Sequence, residues 1–315
     1  MISVIIPAYN ASRWLPETLR SVAGQEGADV EIVVVDDGSQ DETADHVRAE
    51  WPQVRLIRTE NRGVSHARNT GTAAAQGDLI QYLDADDLLL PGKLRRQEQL
   101  LREHPEVDVI YSNWQMLEEN GAGGFSPTKK IQRSIEDVHA DPEIAFFSTL
   151  WCPTGAYLFR RNMVEKILPW KEWLPVIQDA RFAWDAAAAG ARWLHDPEIS
   201  VLYRQHRSGS VSTRSRRAFL LDCLANIDDI RNLWMKQGPL EGERRKTVLA
   251  GYEDLARGFH GIDPKTFHEV HERLLQIEPS WLPSRGSLRL ASQLLGYENA
   301  ERVALHWRRL KTAIG

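Results

Sequence analysis

Asp84, Asp86 and Asp87 stand within four consecutive positions, in Asp84-Ala85-Asp86-Asp87, directly behind a short apolar run that starts at Leu79. Carboxylates this close repel one another strongly in a dry cleft, and the usual remedy is a hard divalent cation held by oxygen ligands. A solvated turn that caps the next helix is the plainer use of the same residues. Two further polar stretches end apolar runs upstream: Pro7-Ala8-Tyr9-Asn10 and Asp36-Asp37-Gly38-Ser39. Ligands of an open parallel sheet bind beyond the carboxyl ends of its strands, so three such ends in register would form one acidic cleft.

That arrangement needs a sheet, and the pattern supplies one. Short β-rich runs at 2–6, 31–35, 54–58, 79–83 and 108–111 alternate with amphipathic stretches, which predicts βα units and a mostly parallel sheet flanked by helices. Leu15, Leu19 and Val22 repeat at helical spacing behind Asn10 and Ser12 as candidate caps, and Thr43 and Val47 repeat the pattern. Pro91 opens a charged helix that runs through Glu103. Beyond Trp114 the alternation fades, and Asn120-Gly121 with Gly123-Gly124 marks a turn or flexible loop ahead of Lys129-Lys130. Strands at 156–159 and 199–203 and a helix from Gln178 to Ala189 follow, and from about Arg216 the chain reads as helical, with breaks near Pro239, Pro264 and Pro279 to Pro283. The division expected is an α/β domain over 1–213, split into halves 1–115 and 116–213, then a helical C-terminal region over 214–315.

Composition removes several classes. Lys plus Arg 39 against Asp plus Glu 44 gives a net charge of -5, which argues against a general nucleic-acid binder. Cys152 and Cys223 are too few for a disulfide framework or a cysteine metal cluster. No apolar run approaches the roughly 20 residues that cross a bilayer, and MISVIIPAYN lacks a basic leader, so a cytoplasmic protein is expected.

VIIPAYN, VVVDDGSQDET, NRGVSHARNTG and YLDADD, in that order within about the first 90 residues, resemble the successive motifs of the family 2 glycosyltransferases of GT-A fold. The resemblance implies an inverting enzyme that moves a sugar from a nucleotide-sugar donor, most often a UDP-sugar, to a glycan, lipid-linked or other acceptor, as in bacterial surface polysaccharide synthesis. It implies that Pro7, Ala8, Tyr9 and Asn10 line the base pocket, that Asp37 contacts the nucleobase and that Arg68 lies near base and phosphates. Asp84 falls to the ribose and Asp86 to a metal, Mn2+ or Mg2+, with Ala85 between them also on the donor side. A tyrosine at a strand end can stack on a base, and a carboxylate can accept an N–H from its edge. Gly63 permits a tight helix entry whose backbone N–H groups could face the ligand. The family's general base maps onto Asp179 in Gln178-Asp179, where the first position departs from the usual Glu, and YRQHRSGSVS resembles a motif whose histidine, here His206, reaches the metal or diphosphate. Trp151, with Thr154 and Gly155, is expected to wall the acceptor side together with Gln178.

Rival readings lack residues they need. A dinucleotide-binding dehydrogenase requires glycines after its first strand, and PAYNAS has none. A sugar nucleotidyltransferase would carry a glycine-rich basic loop there, and an aspartyl phosphatase its acidic pair. A non-catalytic nucleotide-sugar or glycan-binding module stays open as the alternative. At the C-terminus, Arg285, Arg289, Arg302, Arg308, Arg309 and Lys311 alternate with leucines against only Glu298 and Glu301, which suits a peripheral membrane contact or, equally, packing on the catalytic domain or a second subunit.

Overall fold

The computed structural model describes residues 1–120, 124–132, 141–205 and 215–314, with side chains up to 307 in the last stretch. The chain divides into two compact units, Met1–Ser210 and Val211–Gly315. The first is α/β and carries one sheet. Strands β1 (Ile2–Ala8), β2 (Val30–Asp36), β3 (Arg55–Arg58) and β4 (Leu79–Tyr82) are parallel, in the order β3-β2-β1-β4. Residues 32–36 and all of β1 and β4 are buried, because both faces of the sheet are covered. The chain leaves β1 toward β2 on one side and reaches β4 on the other, so the carboxyl ends of β1 and β4 flank a topological switch point, the place where such sheets bind ligands.

The sheet continues from β4 through β8 (Tyr157–Arg160), β6 (Val109–Glu119), β9 (Trp193–Gln205) and β5 (Leu88–Leu89), with β7 (Phe125–Gln132) along the far part of β6. Here directions mix: β8 is antiparallel to both β4 and β6, whereas β9 is parallel to β6. Strand β9 is longer than its apolar core suggested, and its last residues reach the turn after β4.

Helices α1 (Leu15–Ala23), α2 (Thr43–Glu50), α3 (Val64–Ala74) and α4 (Lys93–Glu103) fill the crossovers. Helix α1 buries Leu15, Leu19 and Val22 as its spacing requires, but Trp14 occupies its N-cap and no side chain caps it. Asn10 and Ser12, expected there, lie too far back; the Asn10 side chain instead accepts the Gln40 N–H at 2.8 Å. Helix α3 lies close on β1 because Gly71 has no side chain: a Cβ there would stand 2.5 Å from Ile5 Cγ2. Three more helices, α5 (Pro142–Ser148), α6 (Arg161–Ile167) and α7 (Gln178–Ala188), follow among the described residues of this unit. Lys129 and Lys130 lie on β7; much of the glycine-marked turn before it falls outside the described residues.

The second unit is helical: α8 (Arg216–Gln237), α9 (Gly242–Phe259), α10 (Pro264–Ile277), α11 (Gly286–Leu295) and α12 (Tyr297–Ile314). Its core is built from Ile230, Trp234, Tyr252, Phe259, Phe267 and Leu274. Asp263 caps α10, accepting the Thr266 N–H at 3.2 Å. No described helix is long and apolar enough to cross a membrane.

Lys93 is fully buried, its ammonium donating to Gln81 and, at 2.8 Å, to Gln97 Oε1. Burial pulls its pKa down to about 7, against the opposing charge of Asp196. An unfolded lysine titrates near ~10.4, so between about pH 7 and about pH 10 the unfolded chain binds more protons and stability rises with pH. Urea unfolding should show a midpoint that climbs over this range, by at most about 1.4 kcal/mol per pH unit, and Lys93→Met should flatten the climb. A wild-type midpoint that falls over the range contradicts this.

Candidate active site

The turn after β4 is held from three directions. Thr18 of α1 donates to the Ala85 carbonyl at 2.9 Å, and Arg68 of α3 binds Asp84 Oδ1 at 2.6 Å. From β9, Arg204 donates through Nε to the Asp86 carbonyl at 2.7 Å and through its backbone N–H to Asp87 Oδ1 at 2.8 Å. Its guanidinium also reaches Glu17 at 2.6 Å and lies 4.8 Å from the Trp14 ring and 4.7 Å from that of Phe125. The three aspartates thereby separate in role. Asp87 is buried and serves the turn; burial drives its pKa well up, with Asp86 and Asp84 adding to the rise. Asp84 is ion-paired, and Asp84 and Asp86 remain half-buried at the edge.

Arg68 is 1% exposed. Its guanidinium lies 4.4 Å from the Trp170 ring, which stacks on Phe182 at 3.8 Å, and its Nε and Nη1 are buried without hydrogen-bond partners. From beneath Asp84 it can offer a ligand charge rather than open surface. Asp37 is buried as well: it accepts the Arg62 N–H at 3.0 Å and the Gly63 N–H at 2.8 Å, with Thr59 Oγ1 at 3.3 Å. The Gly63 N–H, expected to face a ligand, therefore closes the entry to α3 on Asp37 instead. Pro7 and Ala8 are buried at the end of β1, whereas Tyr9 is 45% exposed and Asn10 follows at a positive φ of 49°.

Asp179 occupies the first turn of α7, and its carboxylate accepts Trp151 Nε1 at 2.9 Å. Burial raises its pKa and Asp84 adds to the rise; the charge of Arg68 and the Trp151 hydrogen bond oppose it. Asp84, Arg68 and Asp179 thus share one electrostatic neighbourhood although they come from the turn after β4, from α3 and from α7. Asp185, on the same helix, pairs with Arg181 at 2.8 Å and Lys171 at 3.3 Å. Trp151 is 39% exposed and is packed edge-on by Trp114 at 5.3 Å and Tyr203 at 5.7 Å. Thr154, Gly155 and Gln178, expected on the acceptor side, are buried; the short turn at Thr154–Ala156 tucks against Leu83 and Val201, and Gln178 begins α7. Beside Asp179, Thr154 lines a cavity of about 10 Å³ with Tyr82 and Trp170, room for about one water and far too little for a sugar.

The donor set fits a hard cation. Asp87 Oδ2 is buried without a hydrogen-bond partner, and the neighbouring charges of Asp86 and Asp84 add to the rise that burial produces in its pKa. Among the described residues no three His, Cys, Asp or Glu side chains could hold a metal by themselves. His206 lies outside the described residues. Sequence reasoning missed Arg204, Thr18, Trp114 and Tyr203. An arginine on a strand or a threonine inside a helix carries no local signal, though Trp114 and Tyr203 could have been suspected from adjoining marked segments.

The profile of Glycosyl transferase family 2 matches residues 3–168. The succinoglycan biosynthesis protein ExoO of Rhizobium meliloti is 30% identical over 251 residues, 78% of this chain and 71% of that protein. Against several other curated relatives the chain spans about half their length or less. Among solved structures, S. aureus TarS 1-349 in complex with UDP-GlcNAc superposes with a TM-score of 0.60 at 18% identity, over 98% of this chain and 91% of that one. The mannosyltransferase PcManGT from Pyrobaculum calidifontis, in complex with GDP-Man and Mn2+, gives a TM-score of 0.53 at 18% identity, over 98% and 87%. These likenesses establish the α/β architecture as the GT-A fold.

Removing the buried cation should leave Asp84 as an uncompensated charge. Arg68→Met is expected to cost about 2–3 kcal/mol, below the range for fully buried pairs because Asp84 is partly solvated. Adding Asp84→Asn should recover part of that loss in urea unfolding. A double variant less stable than Arg68→Met alone would contradict the pairing.

Proposed function

This chain belongs to glycosyl transferase family 2, and we propose that it transfers a sugar from a UDP-sugar to a hydroxyl of a glycan or lipid-linked acceptor, with inversion, in polysaccharide synthesis. The observation that carries this reading is the Arg68–Asp84 ion pair at the carboxyl edge of the sheet, with Asp179 within the field of both charges. The donor class accords with the UDP-GlcNAc and GDP-Man complexes of proteins sharing the fold, and the setting with the succinoglycan role of ExoO. Residues 1–213 form the catalytic domain in this reading.

A sugar hydroxyl is a weak acid, so a carboxylate must take its proton as attack proceeds. Asp179 has that role: burial makes it a stronger base than a solvated aspartate, and Arg68 and Trp151 favour the ionised form that can accept. Trp151, backed by Trp114 and Tyr203, gives the acceptor a fixed aromatic face. Exposed Tyr9 stacks on the base, with Pro7, Ala8 and Asn10 shaping the turn around it. Asp37 acts on the base pocket chiefly by fixing the loop at Arg62 and Gly63. A divalent cation, Mn2+ or Mg2+, held by Asp86 and the donor's phosphates, would offset the charge that grows on the leaving diphosphate. One base and one displacement need no covalent intermediate, so the product has the opposite anomeric configuration to the donor.

Asp179→Asn should lower the transfer rate by roughly two to four orders of magnitude with donor affinity retained. In the wild type, rate should fall as pH drops through the raised pKa of Asp179, because only the carboxylate accepts a proton. Trp151→Phe removes a hydrogen bond that favours the ionised form, so it should move that acidic limb to higher pH. Near wild-type transfer by Asp179→Asn, or a product keeping the donor's anomeric configuration by NMR, would overturn the proposal.

A further inference from the structure

The last two helices turn apolar side chains outward. On α11, Leu288 and Ser292 are buried, while Leu290 and Leu294, on the opposite side of the helix, are exposed, Leu294 to 85%. On α12, Tyr297, Ala300 and Glu301 are buried, and Val303 and Trp307 are exposed, Trp307 to 62%. The two helices pack on each other around Gly296. On α11 the exposed leucines are centred on the outer face, which leaves large hydrocarbon area in water, whereas Val303 and Trp307 flank the buried side of α12, whose outer face carries Asn299, Arg302 and His306.

Within the 285–307 segment the charge is one-sided. Arg285, Arg289 and Arg302 are exposed on the same two helices and at their start. The acidic residues of 285–307 number two: Glu301 is fully buried against Arg257, leaving Glu298, within 3.1 Å of Arg302, as the acid at the surface. A second copy of the same surface would bring arginines toward arginines, which costs energy in a self-complementary interface. An anionic bilayer meets both features at once, headgroups taking the arginines and the acyl boundary the leucines and tryptophan.

We infer that the outer face of α11 and α12 docks on an anionic phospholipid surface, with Leu290, Leu294 and Trp307 entering the interface and Arg285, Arg289 and Arg302 contacting headgroups. The inference is independent of the sugar-transfer reading.

The test is co-sedimentation of the full chain with vesicles of three parts phosphatidylcholine to one part phosphatidylglycerol, and with phosphatidylcholine alone. Binding should be confined to the anionic vesicles and weaken as salt rises. Arg289→Gln and Arg302→Gln should each lower affinity about fivefold, and Leu290→Gln with Leu294→Gln about tenfold or more. All four residues are exposed, so folding, followed by circular dichroism, should hold. Equal binding to both vesicles, no binding to either, or sedimentation as a dimer that the leucine variants disperse would overturn the inference.

Discussion

Three carboxylates crowded at the end of one strand are tolerable only where opposite charge and hydrogen-bond donors meet them. Arg68 and Arg204 supply the charge, and Thr18 fixes the backbone between them. These residues are far apart in sequence, on α3, β9 and α1, so the acidic turn cannot take its shape until the sheet is assembled. The parallel half of the sheet sets the turn at a switch point; the mixed half returns β9 across it, carrying Arg204. Asp179 depends on the same balance, because Arg68 opposes the rise in its pKa that burial and Asp84 produce.

The division of labour among the aspartates follows from solvation. Asp87, fully buried, is held by a backbone N–H and bears the largest desolvation cost, which makes it part of the scaffold. Asp84 and Asp86 keep access to the cleft edge. In the proposed reading, charge at this edge stays incompletely compensated until ligands arrive, which relates binding to stability by mass action.

What was legible in the sequence had local causes. The apolar runs of β1 and β2, the helical spacing of Leu15, Leu19 and Val22 and the proline-marked breaks of the last hundred residues each encode an element within a few neighbours. The acidic turn and Asp179 were visible as residue types in marked segments. The tie from Arg204 to Asp86 and Asp87 was not, nor the burial of Thr154, Gly155 and Gln178, because both arise from packing between elements distant in sequence. Helices α5 and α6 were missed since each is only 7 residues long, too short to display a period. The exposed faces of α11 and α12 could be suspected from composition, but which leucines turn outward depends on where the helices pack.

The central claim is that the carboxyl edge of the sheet binds a nucleoside diphosphate together with a divalent cation. Titration calorimetry with UDP, GDP and dTDP, each with Mn2+, with Mg2+ and with chelator, tests it most directly. The account predicts binding in the presence of metal, UDP tightest, with loss of that binding under chelation and in a folded Asp86→Ala variant. Failure of every nucleoside diphosphate to bind the folded wild-type protein with metal present would contradict it.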